Sequence, residues 1–250
     1  MKKLIEVCLD SVDSVIASEK GGADRVELCS SLFEGGLTPS FGTFKQAKKV
    51  TKDIKINVMI RPRSGDFCYS DNEFESMKED LLLFKSAGCD GIVFGILNPD
   101  GSVDEKRTQE LVKLASPLPV TFHRAIDVSS NIFDSMETLI NLGVKRILTS
   151  GSEPTVLEGM FILKELVEKA GDRIIIMPGC GISEKNFEYL DSNINAKEYH
   201  VYLHSEQDSK MKYKKDDIYM GGMLRQAEFL ISHTSSSRVQ NIVNKIWKEY

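Results

Sequence analysis

Two short segments repeat one arrangement of chemistry-bearing residues. Glu6-Val7-Cys8 and Glu27-Leu28-Cys29 each place a carboxylate two residues before a thiol. In an extended strand alternate side chains share a face, so each pair projects to one side. Strands that pair lie ~4.8 Å apart, close enough for two thiols at their ends to share one metal ion. Soft thiolates suit Cu(I) better than a hard cation, and no Cys-x-x-Cys spacing argues for four-ligand zinc. Cys8 and Cys29 are therefore the candidate metal ligands, with Cu(I) the ion they would take. The plain alternative for each is a small buried hydrophobe, since free cysteine is among the most buried residue types.

A second set of residues could handle an anion or move a proton. Glu27 and His123 are the candidate acid–base groups; His123 ends a strand-like run, where barrel enzymes place such residues. Arg61 and Arg63 follow the third run and Arg124 follows the fifth. Three arginines around one opening resemble a carboxylate or phosphate clamp, unless each is spent on Glu6, Glu27, Asp66 or Asp127. The turns Thr149-Ser150-Gly151 and Gly179-Cys180-Gly181 could offer backbone N–H groups to the same anion. His200 is a further candidate, whereas His204 and His233 read as surface residues. Cys68 and Cys180 fall on loops at the same end as Cys8 and Cys29, and Cys89 falls at the opposite end.

These residues need a frame that brings strand ends together. Eight apolar runs alternate with amphipathic stretches: Leu4–Cys8, Arg25–Leu28, Ile56–Ile60, Gly91–Phe94, Val120–His123, Arg146–Thr149, Ile174–Met177 and Glu198–Leu203. Phe74, Met77, Leu81 and Phe84 recur at helical spacing between two of them, as do Val156, Met160, Leu163 and Val167. Ser11, Ser40, Asp71, Asp104, Asn131 and Ser183 stand where helix N-caps are expected. The pattern predicts an α/β fold, a closed (β/α)8 TIM barrel, with Glu6, Cys8, Glu27, Cys29, Asn57, Met59, Arg61, Thr121, His123, Glu198, His200 and Tyr202 turned inward. No Gly-x-Gly-x-x-Gly follows the first run, which disfavours an open dinucleotide-binding sheet. Residues 1–250 read as one domain. An irregular insertion over about 204–237, with an added helix at Met223–Ile231, precedes a last helix whose apolar face is Val239, Ile242, Val243, Ile246 and Trp247.

Composition narrows the function classes. The chain has 250 residues, 41% of them hydrophobic and 28% charged, a globular balance. With 32 Lys+Arg against 37 Asp+Glu the net charge is −5, which argues against a nucleic-acid wrapper. No apolar run approaches the ~20 residues that span a bilayer. Five irregularly spaced cysteines and no leader point to a cytoplasmic protein with reduced thiols.

The segments Glu6–Asp10, Gly21–Ser30, Gly35–Ser40, Met59–Asp71, Gly91–Asp100, Thr121–Asp127, Leu148–Gly151 and Met177–Ile182 together resemble the copper homeostasis protein CutC family. The resemblance covers roughly residues 4–200. It implies a (β/α)8 barrel, a cytoplasmic homo-oligomer taken as a dimer, and a copper-binding role. Cys180 stands where the family tends to have glycine, and Val201-Tyr202-Leu203-His204 is bulkier than the family's small residues there. The alternative expectation is a TIM-barrel enzyme acting on a small phosphorylated or carboxylated substrate, possible sugars included, with copper ion or that small anion as its partner and neither nucleic acid nor membrane.

Overall fold

The computed structural model describes residues 3–215, 217–221 and 229–247. Eight strands build one parallel sheet: β1 (Leu4–Leu9), β2 (Arg25–Leu28), β3 (Lys55–Met59), β4 (Gly91–Phe94), β5 (Val120–Phe122), β6 (Arg146–Thr149), β7 (Ile175–Pro178) and β8 (Glu198–Val201). Their order is β7-β6-β5-β4-β3-β2-β1-β8, and a parallel bridge between Gly179 and His200 brings the two ends together. The expected (β/α)8 TIM barrel is present, with strand bounds within two residues of those read from the sequence.

Helices α1 (Val12–Lys20), α2 (Phe41–Val50), α3 (Asp71–Ser86), α4 (Glu105–Ala115), α5 (Ile132–Asn141), α6 (Met160–Ala170), α7 (Phe187–Ile194) and α8 (Ser236–Trp247) surround it. Each exists because an apolar stripe meets the outward face of the strands. Val7, Val26, Ile56, Phe94, Phe122, Ile147 and Ile176 are buried in one cluster with Phe44, Met77, Leu81, Leu111, Leu139 and Leu163 from the helices. Each such side chain contributes about 1.5–3 kcal/mol by leaving water. Val239, Ile242, Val243 and Ile246 of α8 are buried as expected; the Trp247 side chain lies outside the description.

Caps fix where the helices start. Ser11, Ser40, Asp104 and Asn131 accept backbone N–H groups as predicted. At α3 the cap is Ser70 instead of Asp71, because Glu73 completes a reciprocal capping box with it. Asn186, not Ser183, begins α7, and its side chain accepts from the Ser183 N–H.

The segment after β8 differs from the sequence expectation. It forms an antiparallel hairpin, β9 (His204–Asp208) with β10 (Leu230–Thr234), where an irregular insertion was expected. The expected helix at Met223–Ile231 is replaced at its described end by β10; residues 223–228 lie outside the described residues. Among the described residues, no helix is long and apolar enough to cross a membrane.

Candidate metal centre

The inward-facing residues form two stacked zones. The lower one lies inside the barrel and was only half visible in the sequence. Arg25 and Arg146, both buried, point into it and were missed as inward residues. Arg25 bridges Glu6 and Glu198. Arg146 donates to Glu198 at 2.9 Å and 3.3 Å and to Thr121 at 3.3 Å. Asn57 Nδ2 donates to Glu6 at 3.2 Å, and Gly91 leaves it room, since a Cβ there would meet Asn57 Oδ1 at 2.3 Å. Strand parity was the available signal: Arg25 shares a face with Glu27 and Cys29.

The upper zone lies at the strand C-termini. Register sets Cys8 beside Glu27 and sets Glu6 between Arg25 and His200. Cys29 follows one inward position above Glu27, beyond the end of β2. Glu27 Oε2 sits 3.5 Å from Cys8 Sγ and 3.4 Å from Cys29 Sγ. His200 Nδ1 is 2.9 Å from Glu6 Oε1, and Nε2 is 3.9 Å from Glu27. Ligand atoms of Cys8, Glu27 and His200 all lie within 4.8 Å of one another. His200 thus joins Cys8 and Glu27 more closely than its sequence signal indicated, and Cys29 stands beside that trio through Glu27.

The electrostatics follow from this crowding. The Cys29 thiol bonds toward Cys8; that bond, working against burial and helped by His200, brings the Cys8 thiol down to about 5. The same bond, burial and Glu27 hold Cys29 well above the usual thiol range. Burial pushes the Glu27 carboxyl up, and Cys8 and Glu6 reinforce it against the pull of His200. Burial disfavours a charged His200, yet Glu27, Cys8 and Glu6 raise it well above the ordinary histidine value. Burial also opposes the Glu6 charge, but Arg25 and His200 hold that carboxyl well below the usual range. The centre therefore favours a Cys8 thiolate beside a charged His200, with Cys29 held toward its thiol form and Glu27 pushed toward its acid form.

Cys29 is sealed from above by the Gly35-Gly36 turn. Gly36 has φ +86°, and a Cβ there would stand 3.1 Å from the Cys29 sulfur. Cys29 packs with Met59 and Val93, against Cys8 and Leu32, so the sulfurs sit in soft, apolar surroundings. Cys8, Glu27, Met59 and His200 line a cavity of about 650 Å³ that opens at the barrel mouth.

The groups expected to clamp an anion are mostly engaged by the chain itself. The Asp127 carboxylate accepts from Thr149 Oγ1, from the Ser150 N–H and hydroxyl, and from the Ser152 N–H. The Gly151 N–H goes to Thr149 Oγ1 at 2.9 Å. An external anion at Thr149–Gly151 would have to displace Asp127. Arg124 lines the cavity but pairs with Asp127 at 2.8 Å and with Ser150. Arg63 stays outside the cavity, held by Asp66 and Glu73. At the turn after β7, the Gly179 N–H goes to Thr149 O, and Cys180, at φ +89°, turns its thiol to Pro154 O. Gly181 reaches the cavity; Gly179 is crowded by Leu148 and His200 instead. Arg61 and His123 do face the cavity. So do Cys180 and His204, the latter expected at the surface, while Cys68 is exposed and Cys89 is buried.

Comparison with known proteins agrees with the barrel. The CutC family model matches residues 3–205. The mouse copper homeostasis protein cutC homolog is 46% identical over 246 residues, covering 98% of this chain and 90% of its own length. The human homolog is 45% identical, covering 96% of this chain and 87% of its own length. The crystal structure of CutC from Streptococcus agalactiae superposes with a TM-score of 0.76 at 37% identity, over 79% of this chain and 97% of that one. Thiamine phosphate pyrophosphorylase from Pyrococcus furiosus, at 14% identity and a TM-score of 0.57 over 99% and 96% of the two chains, shares the fold alone. A match this long, over the strands that carry Glu6, Cys8, Glu27, Cys29 and His200, places the chain in the CutC family.

Proposed function

We propose that this chain serves copper homeostasis by binding Cu(I) as cargo between Cys8, Cys29 and His200 at the barrel mouth. The observation that carries the reading is the cluster of Cys8, Glu27 and His200, whose ligand atoms lie within 4.8 Å of one another, with the Cys29 thiol donating to Glu27 beside it. Two thiolates and one nitrogen suit Cu(I), which is satisfied by few, soft ligands. Glu6 supplies what a metal-binding histidine requires: it accepts the Nδ1 proton, fixes the ring and leaves Nε2 for the ion. Glu27 Oε2 accepts from both thiols and holds them toward one another. Free cysteines suit the reducing interior of a cell, and residence in the cytoplasm is part of the same proposal.

Anaerobic titration of Cu(I) against a coloured chelator tests the reading. Wild type is expected to take one Cu(I) per chain. The Cys8→Ser/Cys29→Ser variant is expected to lose more than about 100-fold in affinity, beyond the effect of removing a supporting partner. Equal affinities for the two proteins, or a preference for Zn(II) at the same residues, would overturn it.

A further inference from the structure

The cavity is far larger than an ion needs. Its volume of about 650 Å³ lies within the range of small-molecule sites. Most of the wall away from the thiols is apolar, with Leu32, Phe33, Phe67, Leu148 and Ile182. Asp10, Arg124, Tyr202 and Glu206 also reach the cavity, but Arg61 and His123 each keep a buried nitrogen without a hydrogen-bond partner.

His123 is 4% exposed, and its Nδ1 accepts the Ala125 N–H at 3.1 Å. That bond places the ring proton on Nε2, and Nε2 is buried with no hydrogen-bond partner. Burial and then Arg61 hold His123 down to about 3, so the ring is neutral and Nε2 remains a donor. The Nδ1–Cε1 edge lies against Gly95, where a Cβ would come within 2.5 Å, and His123 lines the cavity.

Arg61 is also buried. Its terminal nitrogens go to the carbonyls of Glu34, Gly36 and Gly65, the Tyr69 hydroxyl lies beside the guanidinium, and its Nε makes no hydrogen bond. Carbonyls orient a guanidinium without cancelling its charge. Arg63 and Arg124 each have a carboxylate, whereas no carboxylate pairs with Arg61 among the described residues. A buried cation lacking an anion is costly. Phe67 lies 5.0 Å from the guanidinium carbon and 5.0 Å from the His123 ring, which joins the three into one wall.

We propose that this wall is a binding site for a small organic acid. Its carboxylate faces Arg61, a second oxygen accepts from His123 Nε2–H, and its apolar body packs on Phe67. A phosphate would want more donors than these two; those of the Thr149–Ser152 turn are taken by Asp127, and the Gly179 N–H goes to Thr149 O. The site stands on orphaned donors and does not depend on copper being the cargo.

Isothermal titration of the metal-free protein tests it, with mandelate as probe because it carries an aryl ring, a hydroxyl and a carboxylate. Mandelate is expected to bind about tenfold or more tightly than mandelamide, the worth of a charged partner for Arg61. His123→Asn keeps an oxygen to cap Ala125 and removes the Nε2 donor; it is expected to weaken mandelate by about threefold to tenfold. In wild type the His123 Nε2–H resonance should move with mandelate and stay with mandelamide, a readout that needs no variant to fold. Equal heats for the two probes, no heat from either at millimolar concentration, or a stationary His123 resonance would overturn the proposal.

Discussion

The floor and the mouth of this barrel are both buried and both full of ionisable groups, yet they are finished differently. On the floor, Arg25, Arg146, Glu6, Glu198, Asn57 and Thr121 satisfy one another. At the mouth, Glu27 Oε1, Arg61 Nε and His123 Nε2 are buried without partners. A closed polar network holds a structure together, and an open one waits for something to complete it. The difference separates residues kept for the fold from residues kept for a ligand, although all of them point inward from the same strands.

Breaking the floor should cost the most stability. Glu198→Gln leaves Arg146 without a charged partner and weakens Arg25. The expected loss is about 3–5 kcal/mol, read as a fall in unfolding midpoint of about 6–20 °C. A loss below about 1 kcal/mol would mean that the floor is not the structural half of the pair.

Glu6 belongs to both zones and should show both effects. Glu6→Gln is expected to weaken Cu(I) binding by about 10–100-fold, since it releases the His200 ring. It should also change the acid limb of stability. The Glu6 carboxyl is held low in the folded chain, so its contribution is present above the ordinary carboxylate pKa and lost as pH falls below it. The variant's stability should therefore fall less steeply with acid than that of wild type. Parallel acid limbs would contradict the placement of a charged Glu6 under the site.

The mouth can be read by its protons. Cys8 should react with an alkylating reagent at a rate that rises through pH about 5, and His200→Gln should move that midpoint upward. A Cys8 profile centred on the usual thiol value would contradict the thiolate–imidazolium pair. Cu(I) must displace protons from Cys29 and His200, so about two protons should be released per ion near neutral pH and affinity should rise with pH. The smallest effect is expected at Gly36→Ala. Its positive φ and the 3.1 Å approach to the Cys29 sulfur should cost about 1 kcal/mol and leave the floor unchanged.

The frame was legible because period-two runs and helical stripes announce themselves locally. The pairing of Glu6-x-Cys8 with Glu27-x-Cys29 was legible because side-chain parity in a strand is fixed by the backbone. Partnership was not. Nothing local reveals that Asp127 fills the turn after β6, or that Arg61 spends its terminal nitrogens on three carbonyls, because both depend on loops that meet only in the folded chain. Arg25 was overlooked although parity placed it, because a buried arginine is implausible until its two carboxylates are seen. The helix expected at Met223–Ile231 overlaps the Leu230–Thr234 strand only at Leu230 and Ile231, and there the pairing with His204–Asp208, a contact distant in sequence, decides for the strand.

Copper K-edge X-ray absorption of the Cu(I)-loaded chain tests the thiol–imidazole centre most directly. Two sulfur scatterers and one imidazole nitrogen are predicted, with the nitrogen lost in His200→Gln and the sulfurs lost in Cys8→Ser/Cys29→Ser. A spectrum unchanged by either substitution would place the copper elsewhere and contradict the assignment.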